Sequence, residues 1–170
     1  MNRVTFKRQQ GFTIVELLIV IVVIGILAAI TIVAFNGVQN RANDTTVKSD
    51  LKNLSKLVEN YNVLNSAYPA TINSLSDVKV SKGSYGEGYY NGTGYYNLLY
   101  CRVTTGSDAT YAIVAASKSG TAFQVGPGGV VAEHGYAITT SGVACPRAGV
   151  ATTLPGYGVS WSYSAGAWQF

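Results

Sequence analysis

The sequence predicts an α+β fold, in which a long N-terminal apolar helix packs its C-terminal half on a small antiparallel β-sheet. Three observations predict it. Residues 17–35 contain a single polar residue, Thr31. Residues 47–61 repeat apolar side chains at helical spacing. Residues 95–170 hold short apolar runs separated by Gly- and Ser-containing turn signals.

Residues 1–11 are a short polar, basic leader. Arg3, Lys7 and Arg8 supply three units of the net charge of +4, leaving nine basic against eight acidic residues from Phe12 onward. The basic pI therefore describes a basic head on an apolar segment and does not argue for nucleic acid. An apolar helix is expected over residues 12–35. It has no polar face, so it belongs in lipid or inside a bundle. Its length suits a bilayer span, which needs ~20 apolar residues. A cleaved secretory signal would have a shorter apolar region of ~7–15 residues, and no glutamate would interrupt its start. The leader places the N-terminus on the cytoplasmic side only through its tight clustering, because Arg41, Lys48 and Lys52 balance it beyond the run.

Glu16 is the one carboxylate set into the apolar run. A charge at the centre of a membrane helix costs ~3 kcal/mol on insertion scales. Near the edge the cost is smaller, but the group still needs a partner.

A second, amphipathic half is expected over residues 36–67. Val47, Leu51, Leu54, Val58 and Tyr61 recur at alternating spacings of four and three, and Leu57 and Leu64 widen the stripe. Asn36-Gly37 is a weak point between the halves. The pattern ends ahead of Pro69, which disfavours helix in the residue before it. A continuous helix over residues 12–66 would measure ~80 Å at 1.5 Å per residue.

Residues 68–170 are expected to form the globular β domain. Tyr95–Val103, Tyr111–Ala116 and Ala122–Val125 read as strands, the last two joined by a hairpin at Lys118-Ser119-Gly120. Val130–Ala132 and Tyr136–Thr139 are weaker strand signals. Val159, Trp161 and Tyr163 alternate, and Ser164-Ala165-Gly166 turns back into Ala167–Phe170. The loop before Tyr95 ends in a Gly/Tyr-rich stretch, and an exposed surface is expected over residues 83–100. Cys101 and Cys145 suggest a disulfide if this half is exported. It would contribute roughly 4 kcal/mol by loop entropy. Two buried free thiols are the alternative, because spacing alone does not show proximity.

The run GFTIVELLIVIVVIGILAAI resembles the N-terminus of the type IV pilin family, which includes the pseudopilins of type II secretion. The features that carry the resemblance are a basic leader ending in glycine, an aromatic residue, a glutamate four residues later and an unbroken apolar run. The resemblance implies cleavage between Gly11 and Phe12 by a prepilin peptidase, followed by N-methylation of Phe12. It implies that Glu16 pairs with the Phe12 amine, within one subunit in the membrane and across subunits as a filament grows. A buried carboxylate without a cation is strongly disfavoured, so the pair acts as a registry device. The implied partners are identical or related pilin subunits, the peptidase, and an assembly ATPase with its platform protein. The membrane holds the subunit before assembly, and the cell surface or an extracellular pilus holds it afterwards. A type II secretion pseudopilin and a DNA-uptake or adhesive minor pilin are alternative roles. Many members carry a proline near the position of Val33; the lack of one speaks against a kink at that point, while Gly25 is kept.

No enzyme, cofactor or metal site is expected. His134 beside Glu133 lacks the partners of a triad or a metal centre and is expected at the surface. No Asp-rich calcium loop is present. Lys48, Lys52 and Lys56 share a helical face that could touch nucleic-acid phosphates, although a solvated face is the simpler reading.

Overall fold

A computed structural model describes residues 11–86, 89–90, 95–103, 109–136, 138, 141–153, 157–161, 163–164 and 167–168. The chain divides into two compact units, Met1–Val38 and Gln39–Phe170. Helix α1 (Ile14–Asn65) contributes to both.

In the first unit every described residue, from Gly11 to Val38, is exposed. The segment contains no proline to break it, and it stays helical at Asn36 and Gly37. A glycine inside a helix costs only about 1 kcal/mol relative to alanine, which is too little to stop a helix of this length.

The second unit begins with the amphipathic half of α1. Val47, Leu51, Leu54 and Val58 are fully buried, as their spacing predicts. Tyr61 and Leu57 are only half-buried, and Leu64 is 82% exposed, contrary to the expectation that it widens the stripe. The helix stops one residue after Leu64, where Ser66 enters the left-handed region at φ 54°.

Two short 3-10 turns follow, at Ile72–Ser74 and Lys82–Ser84. Strands β1 (Tyr89–Tyr90) and β2 (Tyr95–Tyr96) pair antiparallel. Then come β3 (Leu98–Val103), β4 (Thr110–Ala116), β5 (Ala122–Val125), β6 (Val131–Glu133), helix α2 (Ser141–Arg147), β7 (Tyr157–Trp161), β8 (Tyr163–Ser164) and β9 (Ala167–Trp168). The main sheet has the order β6-β5-β4-β3-β7, antiparallel throughout. The β4–β5 hairpin turns at the predicted Lys118-Ser119-Gly120, with Gly120 at φ +92°. β8 and β9 pair antiparallel on either side of the predicted turn. Ala165, Gly166, Gln169 and Phe170 lie outside the described residues.

Both faces of the sheet are buried. On one, Leu98, Tyr100, Tyr111, Ile113, Phe123 and Val125 meet the α1 stripe. On the other, Leu99, Cys101, Val103, Ala112 and Val114 meet Ile138, Ala144, Cys145 and Val150. Strands covered on both sides lose the apolar/polar alternation and read as continuous apolar runs, which is the pattern of Leu98–Val103 and Tyr111–Ala116.

What packs on the two faces of the sheet corrects three expectations. Tyr136–Thr139 is not a strand at its described positions, Tyr136 and Ile138. Ile138 instead inserts its side chain into the second core. His134 is not a surface residue: it is 5% exposed, and its backbone N–H donates to the Ala122 carbonyl at 2.9 Å. The surface expected over residues 83–100 is not exposed throughout: Tyr85 is buried in the core under α1, and Asn97, Leu98, Leu99 and Tyr100 are buried, the last three in β3. A Cβ on Gly86 would come within 2.5 Å of the Ser117 carbonyl oxygen, so only glycine fits there. Residues 87, 88 and 91–94 of that stretch lie outside the described set.

Candidate functional site

The start of α1 gathers three of the residues the sequence singles out. Gly11 and Phe12 precede the first helical turn in non-helical, exposed backbone, and Phe12 is 84% exposed. Thr13 occupies the N-cap position and Glu16 the third helical position. The Thr13 N–H donates to Glu16 Oε2 at 2.8 Å, and the Thr13 hydroxyl donates to the same oxygen at 2.8 Å. The Glu16 N–H in turn donates to Thr13 Oγ1 at 3.2 Å. This is a reciprocal capping box, which satisfies donors that the first turn of a helix leaves without partners.

Thr13 is the residue that sequence reasoning missed. Its signal was present as Thr-x-x-Glu ahead of an apolar run. The box fixes where the Glu16 carboxylate points: back over the peptide that follows Phe12. A Cβ at Gly11 would meet nothing within 4 Å. Among the described residues no contact calls for glycine there.

The remaining singled-out residues lie in the second unit. Cys101 on β3 and Cys145 on α2 form a disulfide with a Cα–Cα distance of 5.6 Å. It ties α2 to the second face of the sheet. The Gly149 N–H donates to the Pro146 carbonyl at 3.0 Å and the Val150 N–H to the Cys145 carbonyl at 2.9 Å, with Gly149 at φ +88°. This is a Schellman ending that holds a seven-residue helix together.

His134 Nδ1 lies 2.6 Å from Gln124 Oε1, while its buried Nε2 has no partner. Donation from Nδ1–H to the amide oxygen fits the neutral tautomer, with a bare Nε2. Burial, with the Arg147 charge nearby, holds this imidazole below its ordinary range. Arg147 lies over the Tyr136 ring at 3.5 Å, and that ring meets His134 edge-on. Among the described residues no group of three His, Cys, Asp or Glu side chains is placed to hold a metal ion.

Two buried polar residues on α1 escaped the apolar pattern. Asp50 accepts the Ser81 N–H at 2.7 Å and the Tyr85 hydroxyl at 3.3 Å, pinning the connection to β1. Ser55 shares a hydrogen bond of 2.8 Å with the Tyr111 hydroxyl, which also lies 3.2 Å from the Gly126 carbonyl. Burial pushes the Tyr85, Tyr100 and Tyr111 phenols well above their ordinary range.

Residues 6–32 match the family model described as the prokaryotic N-terminal methylation motif. The chain is 33% identical over 94 residues to the type II secretion system core protein G of Pseudomonas aeruginosa, covering 55% of this chain and 66% of that protein. It is 44% identical over 62 residues to the type IV wide pilus major component of Thermus thermophilus, covering 36% and 47%. Against core protein G of Escherichia coli the values are 29% over 122 residues, 66% and 84%. The chain spans about half the length of most of the curated relatives it matches. No solved structure matches it.

Proposed function

We propose that this chain, which carries the prepilin methylation motif and is homologous to a type IV pilin and to type II secretion core protein G, is a structural subunit of a pilus-like filament. The observation that carries the reading is the state of its N-terminal helix. Every described residue from 11 to 38 is exposed, and the segment is long and apolar enough to cross a membrane. A helix apolar on all sides needs lipid or other helices around it. A filament subunit needs both in turn. It sits in the membrane before assembly and in a bundle of identical helices afterwards, and a head-to-tail contact that does not close on itself gives an open fibre.

In this reading a prepilin peptidase cuts between Gly11 and Phe12 and methylates the new amine. The exposed, non-helical backbone at that bond supports it, and so does a glycine that no contact among the described residues requires. The capping box places the Glu16 carboxylate beside the Thr13 amide, one peptide unit from the nitrogen that cleavage turns into an amine. Glu16 then pairs with the amine of Phe12, first in its own chain and then in a neighbouring subunit. The role is structural and not enzymatic. The expected machinery is an assembly ATPase and a platform protein, with the N-terminus on the cytoplasmic side before assembly.

Intact-mass measurement and N-terminal sequencing of the chain purified from its own cells test the reading. A mature protein beginning at N-methylated Phe12 is expected. Retention of Met1 in purified filaments overturns it. A pseudopilin of a type II secretion system is the second reading, favoured by the core G proteins among the relatives. Neighbouring genes for a secretin, with no surface fibres in electron micrographs, would select it.

A further inference from the structure

The second unit buries a titratable side chain at the edge of its sheet. β6 is the outermost strand on its side, three residues long and paired with β5. Successive side chains of a strand point to opposite faces. Glu133 pairs with Phe123, whose ring lies in the core under α1, so Glu133 belongs to that face. Ala132 pairs with Gln124, and His134, two residues further on, lies on the other face, that of the second core. Three groups from three elements surround its ring. Gln124 on β5 sets Oε1 2.6 Å from Nδ1. Tyr136 meets it edge-on, 6.4 Å between centroids. Arg147, at the end of α2, lies over Tyr136 at 3.5 Å.

This site has no place for a second proton. Nε2 is buried with no hydrogen-bond partner. An imidazolium donates from both nitrogens, so turning the Gln124 amide supplies no acceptor for Nε2. Burial of the charge is costly in itself, and among the described residues the charge acting on the ring is the cation of Arg147. Gln124 and the Tyr136 phenol are neutral, Glu133 lies across the sheet, and Cys101 and Cys145 are locked in the disulfide. Protonation is therefore relieved by bringing the ring to water. The disulfide ties α2 to β3 at Cys145, so α2 is held. The segment after β6 is held less firmly. Ala132 and Glu133 are exposed, Gly135 turns the chain at φ +72°, and Ile138 is its apolar anchor in the second core.

We propose that His134 is a pH-operated latch on the second core. Neutral, it holds the end of β6, with Tyr136 and Ile138, against the sheet. Protonated, it releases that corner and uncovers the second core at Ala122, while the core under α1 and the disulfide-tied α2 stay in place. The inference does not rest on the filament reading, because every residue named lies in the second unit and is present in an unassembled chain.

The test is amide hydrogen exchange of the full chain in detergent micelles, from pH 7.5 to 5, corrected for the intrinsic pH dependence of exchange. The His134 N–H, which donates to the Ala122 carbonyl, reports the latch, and the β3–β4 amides report the rest of the sheet. A closed state that took up no proton would raise opening about thirtyfold at pH 5, for a free imidazole of ordinary value ~6.5. Protection at β6 and His134 is expected to fall at least fivefold, and at β3 and β4 less than twofold. In His134→Gln the protection of β6 should not change with pH. In Arg147→Gln the transition should move to higher pH, because the opposing cation is gone. No loss by pH 5, an equal loss in β3 and β4, the same loss in His134→Gln, or a move to lower pH in Arg147→Gln overturns the proposal.

Discussion

Glu16 has two partners at two stages, and they differ in what they require of it. The capping box needs a side-chain oxygen at the third helical position, which glutamine supplies as well as glutamate. The pairing with a terminal amine needs a charge. Glu16→Gln therefore separates the two demands, and Glu16→Ala removes both. Both variants are expected to insert in the membrane and be cleaved at Gly11, and both should lose filament assembly by at least tenfold. Only the alanine variant should also lose the Glu16 half of the capping box, while the Thr13 hydroxyl still caps the N–H of residue 16. Quantifying sheared fibres against membrane-bound subunit checks this; wild-type fibre yield from Glu16→Gln would show that the charge is irrelevant. His134 supports a second residue-scale prediction. Its imidazole is held neutral below its ordinary value of 6.5, by burial first and by Arg147 second. The unfolded chain takes up the proton near pH 6.5, whereas the folded chain does so only at lower pH. The contribution of neutral His134 is thus present above pH 6.5 and is lost as pH falls below it. Thermal unfolding of the wild type between pH 7.5 and 5 should fall further than that of His134→Gln; parallel profiles would show that His134 does not set the pH dependence.

At the scale of elements, the helix stripe and the strands were legible because periodicity reports burial directly. Val47, Leu51, Leu54 and Val58 are buried where their spacing put them. Leu64, which with Leu57 widens the stripe at its edge, is exposed, because periodicity cannot say where the covering layer ends. Leu54→Ala is accordingly expected to cost about 2–5 kcal/mol, as buried leucines do. Leu64→Ala should stay within about 0.5 kcal/mol in the unassembled chain. Denaturant titration of both variants checks the pair, and equal losses would contradict the observed packing. Helix α2 was not legible. It has seven residues and contains Gly142 and Pro146, so neither propensity nor period marks it. Contacts distant in sequence hold it, the Cys101–Cys145 bond and the second core. His134 was misplaced for the same reason, since the layer that buries it had no local signature. Asp50 and Ser55 were invisible because a polar residue beside an apolar stripe reads as surface until its partners, Ser81, Tyr85 and Tyr111, are brought to it. The cap at Thr13 is the reverse case: its motif is entirely local and was there to be read.

At the scale of the whole molecule, the two units make opposite demands on their surroundings. The first exposes large apolar side chains along its whole described length, while the second holds both apolar cores. Exposed apolar surface on that scale marks an interaction surface and not a free one. Stability should therefore reside in the second unit, and the need for lipid or neighbouring subunits in the first. A chain starting at Gln39 removes the first unit and retains all four stripe residues from Val47 onward. It is expected to be a soluble monomer by gel filtration without detergent, to unfold cooperatively, and to keep the Cys101–Cys145 bond. It should never form fibres, even when mixed with the full chain, because it has neither the apolar helix nor Glu16. The full chain should need detergent under the same conditions. Aggregation of the shortened chain would mean that the second unit depends on the first for its fold. Its entry into fibres would mean that assembly contacts lie chiefly in the sheet domain, and that the N-terminal helix does not drive polymerisation.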